Sequence, residues 1–210
     1  MLPNFDYENL YDGIVAGIDE AGRGPLCGPV VASCVILNKE KYPKGLNDSK
    51  KLSEKKREEL FTELLEYESK GFIRFGVGII SSKVIDEINI RNATKLAMKS
   101  SYEDVCNRYN VVPNVVLVDG NFIPEVDTKA ECIVKGDAKS LSISAASIIA
   151  KVTRDKIMCD LSKEFPCYEW YQNKGYGTKR HIEKIKELGI TKYHRKSFLQ
   201  EILIRSLFDG

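Results

Sequence analysis

Apolar residues come in short runs along this 210-residue chain, and five of the runs have the length of β-strands. Ile14–Ile18 and Val30–Leu37 come first. Phe72–Ile80 alternates large apolar residues with smaller or charged ones, as a half-buried strand does. Val115–Val118 is apolar throughout, which is typical of a strand covered on both faces. Glu131–Val134 predicts a short fifth strand.

Elsewhere apolar residues recur three or four positions apart, the spacing of helices. Helices are predicted from Ser53 to Lys70, around Met98–Tyr109, at Ser142–Glu164, and in two shorter segments near Lys179–Leu188 and Ser197–Leu207. In the third of these helices the predicted inward-facing residues are Ala146, Ile149, Ala150, Thr153, Ile157 and Leu161.

Strands first, followed by strands alternating with helices, predict an α/β domain with a mixed sheet flanked by helices. We expect this domain to cover residues 1–165. Residues 166–210 are predicted to be a helical, basic extension packed on it as part of the same structural unit, because no linker separates the two parts.

Composition adds the broad class of protein. Hydrophobic residues make up 43% and charged residues 30%, an ordinary balance for a globular domain. The first residues do not resemble a signal peptide, and the longest apolar run is too short to cross a bilayer. Six cysteines include no CxxC pair, and neither His181 nor His194 has a partner at zinc-ligand spacing. We therefore expect a soluble, cytoplasmic monomer with reduced thiols and no membrane contact.

Charge is unevenly distributed, although the net charge is only +2. Residues 1–150 hold 19 Lys and Arg against 22 Asp and Glu, whereas residues 151–210 hold 13 against 8. An acidic body could hold a metal while a basic final quarter holds phosphates. A solvated helical surface would have the same charges.

Two acids directly follow apolar strands: Asp19 after the first and Asp119 after the fourth. Sites in open α/β sheets form at the carboxyl ends of strands, so these carboxylates meet if the strands are parallel neighbours. Asp137, in a turn before a long helix, and Glu20 are further candidates. Glu20 joins only if the strand ends at Asp19, because successive side chains point to opposite faces. Oxygen ligands favour Mg²⁺ or Mn²⁺, although each acid alone could be a solvated loop residue.

Other catalytic schemes fit the sequence less well. No serine elbow accompanies either histidine. The chain has no GxxxxGK[ST] motif, and Gly22 and Gly24 lack the third glycine of a dinucleotide fingerprint. A metal-activated water is the nucleophile that remains.

Six segments, in order between residues 17 and 178, resemble the signatures of the bacterial ribonuclease HII family. The resemblance implies a ribonuclease-H-like fold with a five-stranded mixed sheet, and an endonuclease that cuts the RNA strand of RNA–DNA hybrids. The segments are Gly17–Val30 (GIDEAGRGPLCGPV), Asp48–Ser53 (DSKKLS), Val118–Asn121 (VDGN), Lys135–Ser140 (KGDAKS), Ser144–Asp155 (SAASIIAKVTRD) and Asn173–Thr178 (NKGYGT).

The resemblance also implies roles for particular residues. It makes Asp19, Glu20, Asp119 and Asp137 the ligands of two Mg²⁺ or Mn²⁺ ions, with products that carry a 5′-phosphate and a 3′-hydroxyl. It implies that the turn Gly22-Arg23-Gly24 approaches the ribose 2′-hydroxyl, and that Tyr176 stacks beside the cut in ribonucleotide-containing duplex DNA. The glycines could instead only shape a strand exit, and Tyr176 could be a loop anchor.

Basic residues are candidates for contacts with nucleic acid. Lys50 and Lys51 are candidate phosphate contacts. The polar residues Ser144, Ser147, Lys151 and Asp155 share one face of the long helix, which could face nucleic acid or only water. A duplex-holding face is predicted to consist of Arg180, Lys184, Arg195 and Lys196.

The last residues suggest a partner only loosely. Ser206-Leu207-Phe208 resembles part of a sliding-clamp-binding peptide, but Ile204 stands where a glutamine is expected. Packing of Leu207 and Phe208 against the body is the alternative interpretation.

Three other functions fit parts of the same pattern. A ribonuclease HIII would need an additional N-terminal domain, for which the first signature at residue 17 leaves no room, and would usually have Glu in place of Asp137. A non-catalytic hybrid-binding module would not need four acids beside phosphates. A DNA-cutting nuclease would not need residues that read ribose.

Overall fold

The computed structural model describes residues 2–200, which contain a five-stranded mixed sheet in the order β3-β2-β1-β4-β5. β1, β4 and β5 run parallel, whereas β2 is antiparallel to both of its neighbours. The predicted fold class, a five-stranded mixed sheet flanked by helices, is therefore confirmed. The strands are β1 (Val15–Ala21), β2 (Val30–Leu37), β3 (Ile73–Ile80), β4 (Val115–Asp119) and β5 (Lys129–Ile133).

Helices cover both faces of this sheet. Serine side chains at positions 53, 81 and 140 accept a backbone N–H in the first turn of the three longest helices, as N-cap residues do. The second helix kinks at Asn89, whose φ of 64° is not helical. The helices are α1 (Glu54–Ser69), α2 (Ser82–Tyr109), α3 (Leu141–Glu164), α4 (Trp170–Asn173) and α5 (Lys179–Leu188).

Two apolar layers explain why the central strands are apolar on both sides. Ala32 and Cys34 of β2 pack in the layer that contains α2 residues, whereas Val35 packs in the layer formed with α1 and α3. All four residues Val115–Val118 of β4 are buried, as the continuous apolar run predicted.

The prediction for the long helix α3 is right in its first half and only partly right in its second, where Leu161 packs against the buried cluster that contains Met158 and Trp170. Ala146, Ile149 and Ala150 are fully buried, but Thr153, Ile157 and Leu161 are only half-buried. The first half of α3 lies against the sheet, whereas the second half also contacts α4 in the extension, which covers another side of the helix. The buried residues of the second half are Val152, Arg154, Met158 and Ser162.

The polar face predicted on α3 is also partly wrong. Ser144 and Ser147 are buried, so they face neither water nor a bound duplex. Lys151 and Asp155 are half-buried and form an ion pair at 2.6 Å.

The described part of the extension packs around its own small core. Trp170 and Tyr168 stack with ring centroids 5.3 Å apart, and they contact buried Met158 of α3 in one apolar cluster. The predicted helix Lys179–Leu188 is confirmed as α5. Residues 196–200 are helical, and the rest of the predicted helix Ser197–Leu207 lies outside the described residues. No described helix is long and apolar enough to span a bilayer.

Candidate active site

Three carboxylates meet at the carboxyl ends of the three parallel strands. Register pairs Ile18 of β1 with Val118 of β4, so Asp19 and Asp119 follow side by side. β5 ends at Ile133, and a left-handed residue, Lys135, turns the chain into the short 3-10 helix that contains Asp137. One carboxylate oxygen from each of the three aspartates lies within 4.8 Å of the others.

Because the carboxylates are buried, keeping them charged costs free energy unless a cation is bound. Asp19 is 4% exposed and Asp137 is 5% exposed. Burial raises the pKa of Asp19 well above its usual range, and repulsion from Glu20 and Asp119 raises it further. Burial, followed by repulsion from Asp119, also raises the pKa of Asp137. An oxygen-only set of crowded carboxylates fits a divalent cation such as Mg²⁺ or Mn²⁺.

Glu20 lies beside the cluster rather than in it. β1 does not end at Asp19, because pairing with β2 continues to Ala21, although pairing with β4 stops at Ile18. The carboxylate of Glu20 forms an ion pair with Arg23 at 3.3 Å and lines the same cleft as Asp19. Burial raises its pKa, whereas Arg23 lowers it. Its role as a metal ligand stays a prediction.

The cleft above the acids has a volume of about 250 Å³. Its walls bring the predicted turn Gly22-Arg23-Gly24 together with Tyr176, which is 44% exposed. A Cβ built on Gly24 would lie 3.9 Å from the ring of Tyr176, so the turn and the tyrosine are adjacent in the lining of the cleft. Carboxylates and candidate ribose-reading groups therefore share one cavity.

Of the two predicted phosphate-binding lysines, only Lys50 reaches the acids. Its ammonium lies 3.7 Å from Asp137, and although burial opposes the effect, attraction to Asp19 and Asp137 raises the pKa of Lys50. Lys51 is exposed and does not line the cleft. Lys151 does line it, although the sequence suggested only that Lys151 belongs to a polar helix face.

The predicted duplex-holding face is wrong at Arg195. This residue is fully buried, and its guanidinium donates to three backbone carbonyls. Arg180, Lys184 and Lys196 are at the surface to different degrees; Arg180 pairs with Glu169 at 2.5 Å.

Sequence reasoning gave no role to Arg154 and assigned the wrong one to Arg195. The acceptors of Arg195 lie as many as 173 residues earlier in the chain. No local spacing connects the donor with these acceptors, so no signal in the sequence alone would have found the contact.

Comparison with known proteins decides the family. The family model for ribonuclease HII matches residues 16–201 of this chain. The chain belongs to the ribonuclease HII family. A ribonuclease HII from Clostridioides difficile is 52% identical over 199 residues, which are 95% of this chain and 74% of that protein. One from Rickettsia canadensis is 51% identical over 193 residues, 91% of this chain and 93% of that protein.

Solved structures agree with this ribonuclease HII fold. Ribonuclease H2 from Pyrococcus horikoshii has a TM-score of 0.71 and 28% identity, over 93% of this chain and 99% of that chain. Bst-RNase HIII in complex with Mn²⁺ has a TM-score of 0.75 at 16% identity, over 95% of this chain and 72% of that chain, and it shows the fold alone.

Membership in the family establishes the class of reaction. The chain is therefore a divalent-metal-dependent endonuclease that acts on the RNA strand of RNA–DNA hybrids. A non-catalytic hybrid-binding module is thereby excluded. The preference for an HII over an HIII enzyme is confirmed by the family match.

Proposed function

We propose that this enzyme also cuts 5′ to a single ribonucleotide embedded in duplex DNA. The observation that carries the proposal is the shared cleft. Asp19 at its floor belongs to the carboxylate cluster, whereas the turn Gly22-Arg23-Gly24 and Tyr176 form its walls. A phosphate held at the floor would place its neighbouring ribose at the wall.

Two Mg²⁺ or Mn²⁺ ions are the proposed cofactors, held by Asp19, Glu20, Asp119 and Asp137. When bound, such ions supply Lewis acidity for water attack and for the departing oxygen, which leaves a 5′-phosphate and a 3′-hydroxyl. The protein orients the ligands: the N–H of Gly136 donates to Asp119 at 2.6 Å, and the N–H of Glu20 donates to Asp19 at 2.7 Å.

The walls are proposed to select the substrate. RNA differs from DNA at one site by the 2′-hydroxyl, which backbone groups of the Gly22-Arg23-Gly24 turn would contact. Gly22 has a φ of +95°, and a Cβ there would lie 2.1 Å from Arg154, so the turn requires glycine at that position. Tyr176 would stack on the deoxynucleotide that follows the ribonucleotide. Lys50 and Lys51 would contact phosphates.

A cleavage assay tests the proposal. Duplex DNA with one embedded ribonucleotide is incubated with Mg²⁺, with Mn²⁺ or with a chelator, beside the same duplex without the ribonucleotide. We expect one cut, 5′ to the ribonucleotide, only when metal and ribonucleotide are both present. Cleavage of continuous hybrid together with an uncut single-ribonucleotide duplex would reject the proposal.

A sliding clamp is a further proposed partner. A ribonuclease HII from Archaeoglobus fulgidus, solved in a complex with PCNA, has a TM-score of 0.67 and 29% identity over 88% of this chain and 94% of that chain. The segment Ser206–Phe208 lies outside the described residues. Truncation after Arg205 should abolish clamp binding while hybrid cleavage persists; retained binding, or loss of folding, would reject this segment as the contact.

We also propose a cellular setting and an organisation for the chain. The six cysteines form no disulfide, which fits action in the reducing cytoplasm on ribonucleotides left in DNA. Residues 1–165 and 166–210 are proposed to act as one unit, because Arg154 of α3 donates to Lys174 of the extension at 2.9 Å. We expect a monomer.

A further inference from the structure

Two arginines are buried beneath the cleft without an acidic partner. Arg154 is 1% exposed and Arg195 is fully buried. Neither guanidinium forms an ion pair within residues 2–200, and Asp86, the carboxylate whose charge acts on Arg195, instead accepts backbone N–H groups of Lys196 and Ser197. A buried charge is costly unless hydrogen bonds compensate it, so the acceptors of these two groups matter.

The acceptors are backbone carbonyls, and most belong to one eight-residue segment, residues 22–29. Arg195 donates to the carbonyls of Gly22 at 2.6 Å, Arg23 at 3.0 Å and Gly28 at 3.0 Å. Its own backbone N–H donates to Leu26 at 2.8 Å. Two more carbonyls of the segment accept from Arg154: that of Cys27, at 3.1 Å, and that of Pro29, at 3.0 Å.

Because peptide bonds are planar, these contacts determine where the N–H groups of Arg23 and Gly24 point. In a trans peptide the C=O and the following N–H point to opposite sides of the chain. Because the carbonyls of Gly22 and Arg23 point to Arg195, the N–H groups of Arg23 and Gly24 point away from it. Neither N–H has an acceptor in the described part of the chain, and both residues line the cleft.

Two successive free N–H groups form a concave donor site for an oxygen. The guanidinium of Arg195 donates to the carbonyls of the same two peptides. Its positive charge polarises these peptides, which strengthens their N–H groups as donors. Lysine could not replace this arrangement, because its ammonium is a compact point charge, whereas the planar guanidinium presents donors in a fixed fork.

We propose that Arg195 is a positioning residue: it holds the Gly22-Arg23-Gly24 turn with its peptide N–H groups toward the ribose 2′-hydroxyl, and so sets the preference for ribonucleotides. The inference rests on the proposed function of the turn. Arg195 touches neither substrate nor metal. Arg154 supports the neighbouring Tyr176 loop in the same way, since it donates to the carbonyl of Lys174 and its guanidinium lies 5.8 Å from the centre of the Tyr176 ring.

Binding measurements test the inference without turnover. In an Asp19→Asn background, affinity is measured for duplex DNA with one ribonucleotide and for the same duplex without it, and the ratio is the ribonucleotide preference. Arg195→Lys should lower this ratio roughly 10-fold, the value of one or two hydrogen bonds, while affinity for the all-DNA duplex changes less. Arg108→Lys is the matched control, because Arg108 also donates to a backbone carbonyl, that of Phe75, but lies on α2.

Two results distinguish a failure of the role of Arg195 from a failure of the proposed function of the turn. If the Asp19→Asn protein with Arg195 intact shows no ribonucleotide preference, the proposed function of the turn fails. If that preference exists and Arg195→Lys retains it, Arg195 is only a structural residue and the inference fails alone.

A second variant covers the case in which Arg195→Lys does not fold. Asp86→Ala removes the carboxylate that accepts the N–H groups of Lys196 and Ser197, directly after Arg195. It should lower the preference in the same direction by a smaller factor. An unchanged preference in a folded Asp86→Ala protein would then overturn the inference.

Discussion

At the scale of single residues, the surroundings of the buried acids oppose the negative charge of their carboxylates. Burial and mutual repulsion raise the pKa of Asp19 and of Asp137. Lys50 compensates part of this charge from 3.7 Å, but it is largely exposed. The cluster therefore depends on cations, and removing one carboxylate charge should weaken metal binding more than folding.

We predict that Asp19→Asn and Asp119→Asn each reduce cleavage of hybrid by at least ~100-fold, by analogy with the loss of one electrostatic contact to a transition state. Asp137→Asn should also be severely impaired. Hybrid affinity should survive in all three variants. The exposed Asp160, which pairs only with Lys163 in the described contacts, provides the control Asp160→Asn. Near-normal rates for both Asp19→Asn and Asp119→Asn would contradict the assignment of metal ligands.

Tyr176 gives the second prediction at this scale. Stacking of an aromatic ring on a nucleotide is worth ~1–3 kcal/mol, so Tyr176→Ala should lose roughly 5- to 150-fold on the single-ribonucleotide duplex. Activity on continuous hybrid should fall less, because that substrate lacks the deoxynucleotide that the ring favours. Tyr171→Ala, at another half-exposed tyrosine of the extension, is the control. Equal losses on both substrates would make Tyr176 a loop anchor.

At the scale of elements, the extension is held by a hydrogen-bonded pair of buried histidines. The backbone N–H of Thr191 donates to Nδ1 of His194, so the proton of neutral His194 is on Nε2. Nε2 of His181 accepts from Trp170, and Nδ1 of His181 therefore donates to the carbonyl of Tyr176 at 2.8 Å. Both rings are neutral in this arrangement, and it joins the extension's core to the Tyr176 loop.

This pair predicts a loss of stability in acid. Burial, followed by repulsion from His181, lowers the pKa of His194 from 6.5 to about 4. Between pH 6.5 and pH 4, His194 is protonated in the unfolded chain but neutral in the folded chain. Its contribution to the free energy of unfolding is therefore complete above pH 6.5 and decreases as the pH falls toward 4. For one group this is about 2 kcal/mol between pH 7 and pH 5.

The measurement is a comparison of two proteins, because the buried acids oppose this effect. Their raised pKa values favour the folded state at low pH, so the wild type alone would show only the net change. Urea unfolding at pH 7 and pH 5 should show a smaller acid loss for His194→Gln than for wild type. Equal acid losses would show that His194 is not held neutral.

At the scale of the whole molecule, the surface basic residues of the extension are the proposed contacts with a long nucleic-acid ligand. Lys184 and Lys196 remain candidates for phosphate contacts, whereas buried Arg195 does not. Lys184 also pairs with Glu187 at 2.6 Å, so its charge is partly compensated.

We predict that duplex affinity falls with salt through these contacts. Log affinity should change with log salt by about −0.9 for each phosphate neutralised. Lys184→Glu with Lys196→Glu should therefore make the slope less steep by roughly 2, whereas Lys95→Glu with Lys99→Glu on α2 should leave it unchanged. An unaltered slope in the first pair would show that the extension does not hold the duplex.

The sequence by itself determined the strands, the long helices and the acids at the strand ends. These features are local, because an apolar run of the right length, a serine cap or an acid after a strand depends on neighbouring residues. The parallel pairing of β1 with β4 then brought Asp19 and Asp119 together, as strand-end positions predicted. The ordered signatures also identified the family, which the spacing of apolar residues alone does not indicate.

The tertiary structure alone decided which side chains are buried and what they contact. Arg195 is charged and lies in a basic segment, so local reasoning placed it on the surface; its acceptors come from residues 22–28, far away in the chain. The second half of α3 turned a different face inward because the extension covers it. Glu20 stayed outside the carboxylate cluster because β1 keeps its pairing with β2 to Ala21. Each of these outcomes depends on contacts between distant segments, and the spacing of residues along the chain does not specify such contacts.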